Sequence, residues 1–306
     1  MREEPIFWVL FITFVAVMLV LDLAVFHRGA RTVRVRSAMA WSAFWIALAG
    51  AFAVLVYFWH GKTPALEFVT GYLIEESLSV DNLFVFLLLF RYFKVPDQYQ
   101  HKVLFWGIIG ALVMRLAFIV LGVALIHRFE WITYIFGAFL VYTGIKLVRS
   151  EEIAVEPERN PVLRWVRKFL PVTPDYVDGK FFVRDAGLYA TPLFLVLIVI
   201  ETTDVIFAVD SIPAVLAITR DAFIVFTSNV FAILGLRSLY FALAGMLELF
   251  HFLHYGLAAI LSFIGIKMLI SHYYTIPTSI ALGVVGVVLA ISVAASAAFP
   301  KKIENP

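Results

Sequence analysis

Nine apolar stretches, each about as long as a helix that crosses a lipid bilayer, follow one another along this chain. A spanning helix needs about 20 predominantly apolar residues. With 62% hydrophobic and only 15% charged residues, the chain is also more apolar than soluble domains, whose apolar share is about 45–50%. The sequence therefore predicts an all-α, polytopic membrane protein. The predicted spans are 6–26, 38–59, 65–90, 103–126, 131–149, 187–218, 222–246, 255–271 and 278–299.

Lys and Arg residues are divided unequally between the two sets of loops. Of the 24 in the chain, 16 fall in the loops of one side, which include 27–37, 91–102 and 149–186, and four fall in the loops of the other side. Short loops that are rich in Lys and Arg stay in the cytoplasm. We therefore predict that the N-terminus lies outside and the C-terminus inside.

Spans three to five resemble spans six to eight. The string TGIKLV matches IGIKML, and Arg115 in GALVMRL aligns with Arg237 in ILGLRSL. Because each copy has an odd number of spans, the two copies are predicted to be inverted across the membrane, and such repeats place a substrate site between them near the midplane. Nearly the same offset makes Asp81 and Asp204 symmetry mates.

The repeat predicts how the chain is organised. Between the two copies lies an acidic, proline-containing segment, in which LRWVRKFL places basic residues opposite Trp165 and Phe169, the pattern of a short helix at a membrane surface. The predicted units are 1–63 as an N-terminal two-helix hairpin, 64–149 as the first three-helix repeat, 150–186 as a cytoplasmic linker with this interfacial helix, 187–272 as the second three-helix repeat and 273–306 as a C-terminal helix and tail.

Two of the predicted spans contain acidic residues at membrane depth. They are Glu75, Glu76 and Asp81 in the third span and Glu201, Asp204 and Asp210 in the sixth. Each ionisable group near a bilayer centre costs at least ~2.5–3.5 kcal/mol, so a positive group is expected between them. Carboxylate, amide and hydroxyl oxygens suit a hard divalent cation, and the chain has no cysteine. Mn²⁺, Mg²⁺ and Ca²⁺ all fit.

Helix geometry distinguishes these acids from one another. Glu201 and Asp204 are three residues apart and share a helix face, whereas Asp210 points elsewhere unless the proline three residues later unwinds the helix. Glu75 and Glu76 point about 100° apart. We predict Glu76 as a ligand, with Glu75 as a gate or salt-bridge partner. The predicted metal ligands are Glu76, Asp81, Asn82, Glu201, Asp204 and Asp210.

Basic residues inside the spans offer an alternative interpretation, in which the acids form ion pairs that only specify helix packing. Four bases, Arg115, Arg237, Lys146 and Lys267, face six acids. The two lysines lie near helix ends, where their side chains can reach water. We therefore predict supporting or gating roles for these bases and expect both arginines to contact the acids. Asp22, near the inner end of the first span, is a secondary candidate.

Motifs of soluble enzymes and nucleic-acid-binding proteins are missing from the sequence. It has no recognisable pairing of a catalytic nucleophile with a general base, no glycine-rich phosphate loop and no basic patch for binding nucleic acid. We therefore predict a protein that is not an enzyme, has no nucleic-acid partner and holds no permanent cofactor.

The strings EESLSVDNLFVF, ETTDVIFAVDSIPAV and FTSNVFAILGLRSLYF resemble the TerC family, in particular its Alx-like members, and the resemblance extends over about 20–272. It implies a multi-pass protein of the bacterial inner membrane, similar to manganese exporters and distantly to LysE-type transporters. It also implies that the acidic family motifs fall on the six metal ligands predicted above. The function implied is Mn²⁺ export, with proton antiport as the coupling hypothesis.

Two functions follow as hypotheses. The first is transport of a divalent cation. The second is a non-transporting membrane partner that supplies metal to secreted enzymes or organises a metal or tellurite stress complex. A site rich in carboxylates repels the tellurite oxyanion, so the residues favour a cation. The expected partners are the metal ion, the lipid bilayer, and further copies of the chain or other membrane proteins.

Overall fold

The computed structural model describes residues 5–26, 35–149, 160–184, 187–243 and 252–298. Helices dominate these ranges, and every predicted span overlaps one of them. The elements are α1 (Pro5–Phe26), α2 (Val35–His60), α3 (Lys62–Tyr92), α4 (Asp97–Arg128), α5 (Ile132–Arg149), α6 (Pro161–Phe169), β1 (Phe182–Arg184), β2 (Leu188–Ala190), α7 (Pro192–Leu216), α8 (Ala222–Leu243), α9 (Leu253–Ile270) and α10 (Thr278–Ala298).

Seven helices within the described ranges are long and apolar enough to cross a bilayer, namely α2, α4, α5, α7, α8, α9 and α10. The described apolar part of α1 is shorter, Pro5–Leu21. Helix α3 is long, but it carries four acids along its length. The fold is that of a polytopic membrane protein, and nine crossings remain a prediction.

Helix α8 lies at the centre of the bundle, where nearly all of its residues are buried. It packs against α2, α3 and α4, while α4 also packs against α7 and α5 packs against α9. Within the predicted repeats, the first helix of each copy thus packs on the second helix of the other copy. This arrangement is compatible with the inverted repeat, which remains a prediction, as does the orientation in the membrane.

Helices α5 and α9 approach each other through glycines. A Cβ atom built on Gly265 would lie 2.6 Å from the backbone carbonyl oxygen of Gly137, and one built on Gly137 would lie 2.9 Å from that of Gly265. Side chains cannot occupy this space, because backbone carbonyls cannot rotate out of the way. Glycine at both positions therefore allows the third helices of the two predicted repeats to pack backbone to backbone.

Helix α7 begins with Pro192, a residue favoured in the first helical turn, where its missing N–H costs nothing. It continues through Asp210 and Pro213 to Leu216. The possible unwinding near Asp210, which the sequence suggested, is therefore not observed. Pro213 is close enough to the end of the helix that only its last turns are affected by the missing donor.

The linker contains the predicted short amphipathic helix, α6. The Asn160 side chain caps this helix by accepting hydrogen bonds from the backbone N–H groups of Val162 at 2.9 Å and Leu163 at 3.1 Å. Leu163 and Val166 are buried, and α6 packs against α7. A small antiparallel hairpin of β1 and β2, which the sequence analysis did not predict, follows α6.

The predicted orientation can be tested with single cysteines, since the chain has none. Trp165 on α6 is 63% exposed and Tyr273 after α9 is 88% exposed. In intact spheroplasts, an impermeant thiol reagent is expected to label Tyr273→Cys and to leave Trp165→Cys unlabelled until the membrane is permeabilised. The opposite labelling pattern would show that the orientation is inverted.

Candidate functional site

Arg115 of α4 lies in the centre of the bundle between acids from two other helices. Its side chain is 1% exposed. Nη1 donates to Oε2 of Glu75 on α3, and Nη2 donates to Oδ1 of Asp204 on α7 at 3.4 Å. The prediction that Arg115 contacts the acids is confirmed. Glu75 acts as a salt-bridge partner, one of the two roles expected for it.

Both carboxylates keep an oxygen that is not used in this pairing. Oε1 of Glu75 and Oδ2 of Asp204 are buried and have no hydrogen-bond partner among the described residues, and the same holds for Nε of Arg115. Buried polar atoms are normally hydrogen-bonded, and leaving one unsatisfied costs about 1–3 kcal/mol. The two free oxygens are therefore available to a cation or a donor that enters this space.

Two further acids lie on the same helices. Glu201 precedes Asp204 by one helical turn and interacts with it electrostatically, as their three-residue spacing predicted. Glu76 lies next to Glu75 but bonds to Tyr72, one turn earlier on α3. Oε2 of Glu76 is buried and lacks a hydrogen-bond partner among the described residues.

Gly110 of α4 provides space for the Glu201 side chain. A Cβ atom at this position would overlap the Glu201 carboxylate oxygens. Gly110 is not among the residues predicted from the sequence, because its role depends on which face of α4 meets α7. Its position five residues before Arg115 was the only available signal.

A Gly110→Ala variant is expected to fold normally but to slow the metal transport predicted from the sequence at least about tenfold. Alanine favours a helix by ~0.5–1 kcal/mol over glycine, while the flexible Glu201 carboxylate must shift, and a displacement of ~1 Å in a functional group can cost up to ~100-fold. Flux measurements on reconstituted protein test this. Gly50→Ala on α2, where the new Cβ meets nothing within 4 Å, is the control. Equal flux in both variants would contradict the role of Gly110.

Asp210 does not take part in the ion pairs that Arg115 forms with Glu75 and Asp204. Its Oδ1 accepts a hydrogen bond from Oγ1 of Thr143 on α5 at 3.1 Å, and Lys146 acts on it electrostatically. Lys146 is exposed near the end of α5, as expected for a side chain that reaches water. Asp210 therefore points away from Asp204 on a regular helix, which is the arrangement that its six-residue spacing suggested.

The two remaining bases are both buried. Lys267 is 9% exposed and donates to the backbone carbonyl of Ala217 at 3.0 Å, and Glu67 of α3 is near enough to interact with it. This differs from the expectation that Lys267 reaches water, because the end of α9 is covered by the end of α7. Arg237 on α8 is 2% exposed.

Two predicted residues have side chains outside the described part of the structure. Asp22 lies on α1 and Asp81 on α3, but only their backbone positions are described. Asn82 is 2% exposed, and its Nδ2 has no hydrogen-bond partner among the described residues. Among the side chains that the structure does describe, no three or more His, Asp or Glu residues form a group that could hold a metal ion.

The ion pairs of Arg115 with Glu75 and Asp204 lie between two apolar layers. On α4, Leu104 belongs to one buried cluster and Ile119 to the other, with Arg115 between them; on α7, Asp204 lies in the same way between Ile200 and Ala208. We name the layer with Leu104 and Ile200 the inner layer and the layer with Ile119 and Ala208 the outer layer, following the predicted orientation. Asp204 borders a cavity of about 10 Å³ on the inner side, roughly the space of one water molecule.

The inner side of the site is also connected to the linker. Nδ2 of Asn160, the residue that caps α6, donates to Oγ1 of Thr202 at 2.8 Å. Thr202 follows Glu201 directly. Local sequence patterns do not predict this contact, since it joins residues that are distant along the chain.

The chain matches a known protein family and several known proteins. Residues 60–304 match the family model described as "Integral membrane protein TerC family". An uncharacterized membrane protein of Myxococcus xanthus is 48% identical over 294 residues, covering 96% of this chain and 92% of that protein. Alx of Escherichia coli K12, named as a candidate membrane-bound redox modulator, is 50% identical over 291 residues, covering 92% and 91%. A Rickettsia bellii membrane protein is 43% identical over 290 residues, covering 94% and 96%.

No solved structure matches the chain. The family match covers more than half of the chain, including α3, α4 and α7, the helices that carry the candidate site. The chain thus belongs to the TerC family of integral membrane proteins.

Proposed function

We propose that this protein transports divalent metal cations, and that it exports Mn²⁺ from the cytoplasm across the bacterial inner membrane. The observation that carries the proposal is the convergence of Glu75 and Asp204, from two helices of the bundle, on a buried position where each has an oxygen without a partner among the described residues. Intramembrane acids that face the interior of a bundle mark ion paths.

The donors near this position suit a hard cation. They are carboxylate, amide and hydroxyl oxygens, and the chain has no cysteine that would favour a soft metal. We assign the ligand roles to the predicted set, Glu76, Asp81, Asn82, Glu201, Asp204 and Asp210, and add Glu75, whose carboxylate converges with that of Asp204. Asp210 is the weakest of these, because it faces Thr143. Among the described side chains no three of these acids form one group, so their side chains must rearrange to surround one ion.

The two apolar layers suggest how the ion crosses. With the inner layer and the outer layer both closed around Arg115, the structure corresponds to an occluded conformation. Transport then proceeds by opening one layer at a time, the alternating access expected of repeat-built transporters. The Asn160 bond to Thr202 links the linker helix α6 to the inner opening.

Export against the membrane potential needs an energy source. Moving one charge costs ~2.3 kcal/mol per 100 mV, so a divalent cation costs ~4.6 kcal/mol. Proton antiport meets this cost, with site acids that Arg115 does not contact, such as Glu76 and Glu201, carrying protons inward after the metal has left. The chain has no cysteine, so thiol–disulfide exchange within this chain is excluded, and a redox effect of the kind named for Alx would act through the metal.

Flux through the purified protein tests the proposal against the non-transporting partner. Proteoliposomes that contain only this protein and are loaded with Mn²⁺ are expected to accumulate external radioactive Mn²⁺ by counterflow, and an imposed pH gradient is expected to drive net movement. Protein-free liposomes give the background. Counterflow at background level for Mn²⁺, Mg²⁺ and Ca²⁺ under all gradients would refute transport and favour the partner role.

A further inference from the structure

Arg115 contacts one acid from each half of the bundle. Its guanidinium bridges Glu75, on the first helix of the predicted first repeat, and Asp204, on the first helix of the second. A planar guanidinium can contact two carboxylates at once through separate N–H groups. The ion pair therefore joins α3, α4 and α7 at the position where a cation bound between the two halves would lie.

Acids outnumber bases at this position. Two carboxyl groups face a single guanidinium, and Glu201 adds a further acid one turn from Asp204. A buried salt bridge repays the cost of desolvating its charges only when its geometry is good and its remaining hydrogen-bonding atoms are satisfied. Here Glu75 Oε1, Asp204 Oδ2 and Arg115 Nε all lack partners among the described residues. These unsatisfied atoms favour an exchange in which the two carboxylates release the guanidinium and bind another cation.

A divalent cation and the guanidinium compete for the same two carboxylates. A cation bound to Glu75 Oε1 and Asp204 Oδ2 would lie a few ångströms from the guanidinium held by the other two oxygens, and like charges at that separation in a buried site repel strongly. The arginine side chain is long and rotatable, so it can leave the carboxylates without unfolding α4. Binding of the cation therefore weakens the hold of the guanidinium on both carboxylates and favours its displacement.

We infer that Arg115 is a tethered counter-cation, which occupies the Glu75 and Asp204 carboxylates when the cargo is absent and is displaced from them when a divalent cation binds. The inference rests on the proposed function, since it explains how the negative charge of the same site is neutralised when no metal is bound. The apolar layers can close around the empty site because the guanidinium compensates its negative charge. Arg115 is thus a positioning residue that permits the return of the empty carrier.

The test compares wild-type protein with Arg115→Gln and Arg115→Lys in nanodiscs. Without the competing charge, Arg115→Gln is expected to bind Mn²⁺ at least about tenfold more tightly by calorimetry. In proteoliposomes it is expected to keep Mn²⁺ exchange, which needs no empty return, and to lose at least about 90% of net efflux. Arg115→Lys keeps a tethered charge and is expected to restore affinity close to that of the wild type. A merely structural arginine would lower binding, exchange and efflux together.

Two outcomes separate the inference from the proposed function. Wild-type protein that binds none of Mn²⁺, Mg²⁺ and Ca²⁺ would overturn both. Wild-type protein that binds Mn²⁺, with Arg115→Gln folded and binding it no more tightly, would overturn the inference alone. Should Arg115→Gln not fold, a structure of the Mn²⁺-bound wild type decides: a guanidinium withdrawn from Glu75 and Asp204 supports the inference, and one still bridging them refutes it.

Discussion

An Asp204→Asn variant is expected to lose Mn²⁺ binding and transport by at least about 100-fold while remaining folded in the membrane. The Asp204 side chain is buried and points from α7 to Arg115 of α4, with which it forms an ion pair. Losing a residue that supports a metal ligand costs ~10–100-fold in affinity or activity, so loss of a carboxylate ligand itself should cost more. The protein tolerates the change because asparagine keeps the size of the side chain and leaves Glu75 paired with Arg115.

The experiment combines calorimetry in nanodiscs with Mn²⁺ sensitivity of cells that depend on this protein for export. Asp175→Asn makes the same chemical change at an exposed linker position and is expected to behave like the wild type. Asp81→Asn, at the predicted symmetry mate, is expected to match Asp204→Asn. Wild-type binding and resistance in Asp204→Asn at normal expression would show that the ion path lies elsewhere.

The second large effect concerns folding. Gly265→Val is expected to destabilise the protein by about 3 kcal/mol, the upper end of the cost of overpacking. The new side chain meets the Gly137 carbonyl oxygen, which lies only 2.6 Å from the position of its Cβ atom, and a backbone atom can yield only if α5 and α9 separate. Thermal unfolding of the purified protein, followed by size-exclusion chromatography, measures the effect.

Gly286→Val on α10 is the matched control. A Cβ atom at Gly286 meets nothing within 4 Å, and valine and glycine differ by only a few tenths of a kcal/mol in helix propensity. Its unfolding temperature is expected to lie close to that of the wild type. Equal stability of the two valine variants would show that α5 and α9 do not touch through Gly137 and Gly265.

Helices and their approximate bounds were predictable from local properties of the sequence. An apolar stretch of about 20 residues must satisfy its backbone hydrogen bonds internally in lipid, and a helix does so without help from other parts of the chain. The short helix α6 was predictable for a similar reason, because its apolar and basic residues separate at helical spacing. The shared face of Glu201 and Asp204 follows from the same periodicity.

Partners across helices depended on the tertiary structure. Helical periodicity predicts which residues share a face, but it does not predict which face of another helix packs against them. The pairing of Arg115 with Glu75 and Asp204, the contact of Asp210 with Thr143 and the burial of Lys267 against Ala217 are all of this kind. Each joins residues that lie 40 or more positions apart in the chain.

By itself, the sequence determined that this protein is a helical membrane protein with an unusual set of acids in two of its helices, because the cost of burying charge in lipid and the length of a spanning helix are local properties. The tertiary structure alone decided that Arg115 holds Glu75 and Asp204, and that Gly110 makes room for Glu201. These arrangements arise from the packing of α7 against α3 and α4, which depends on the shapes of all three helices together.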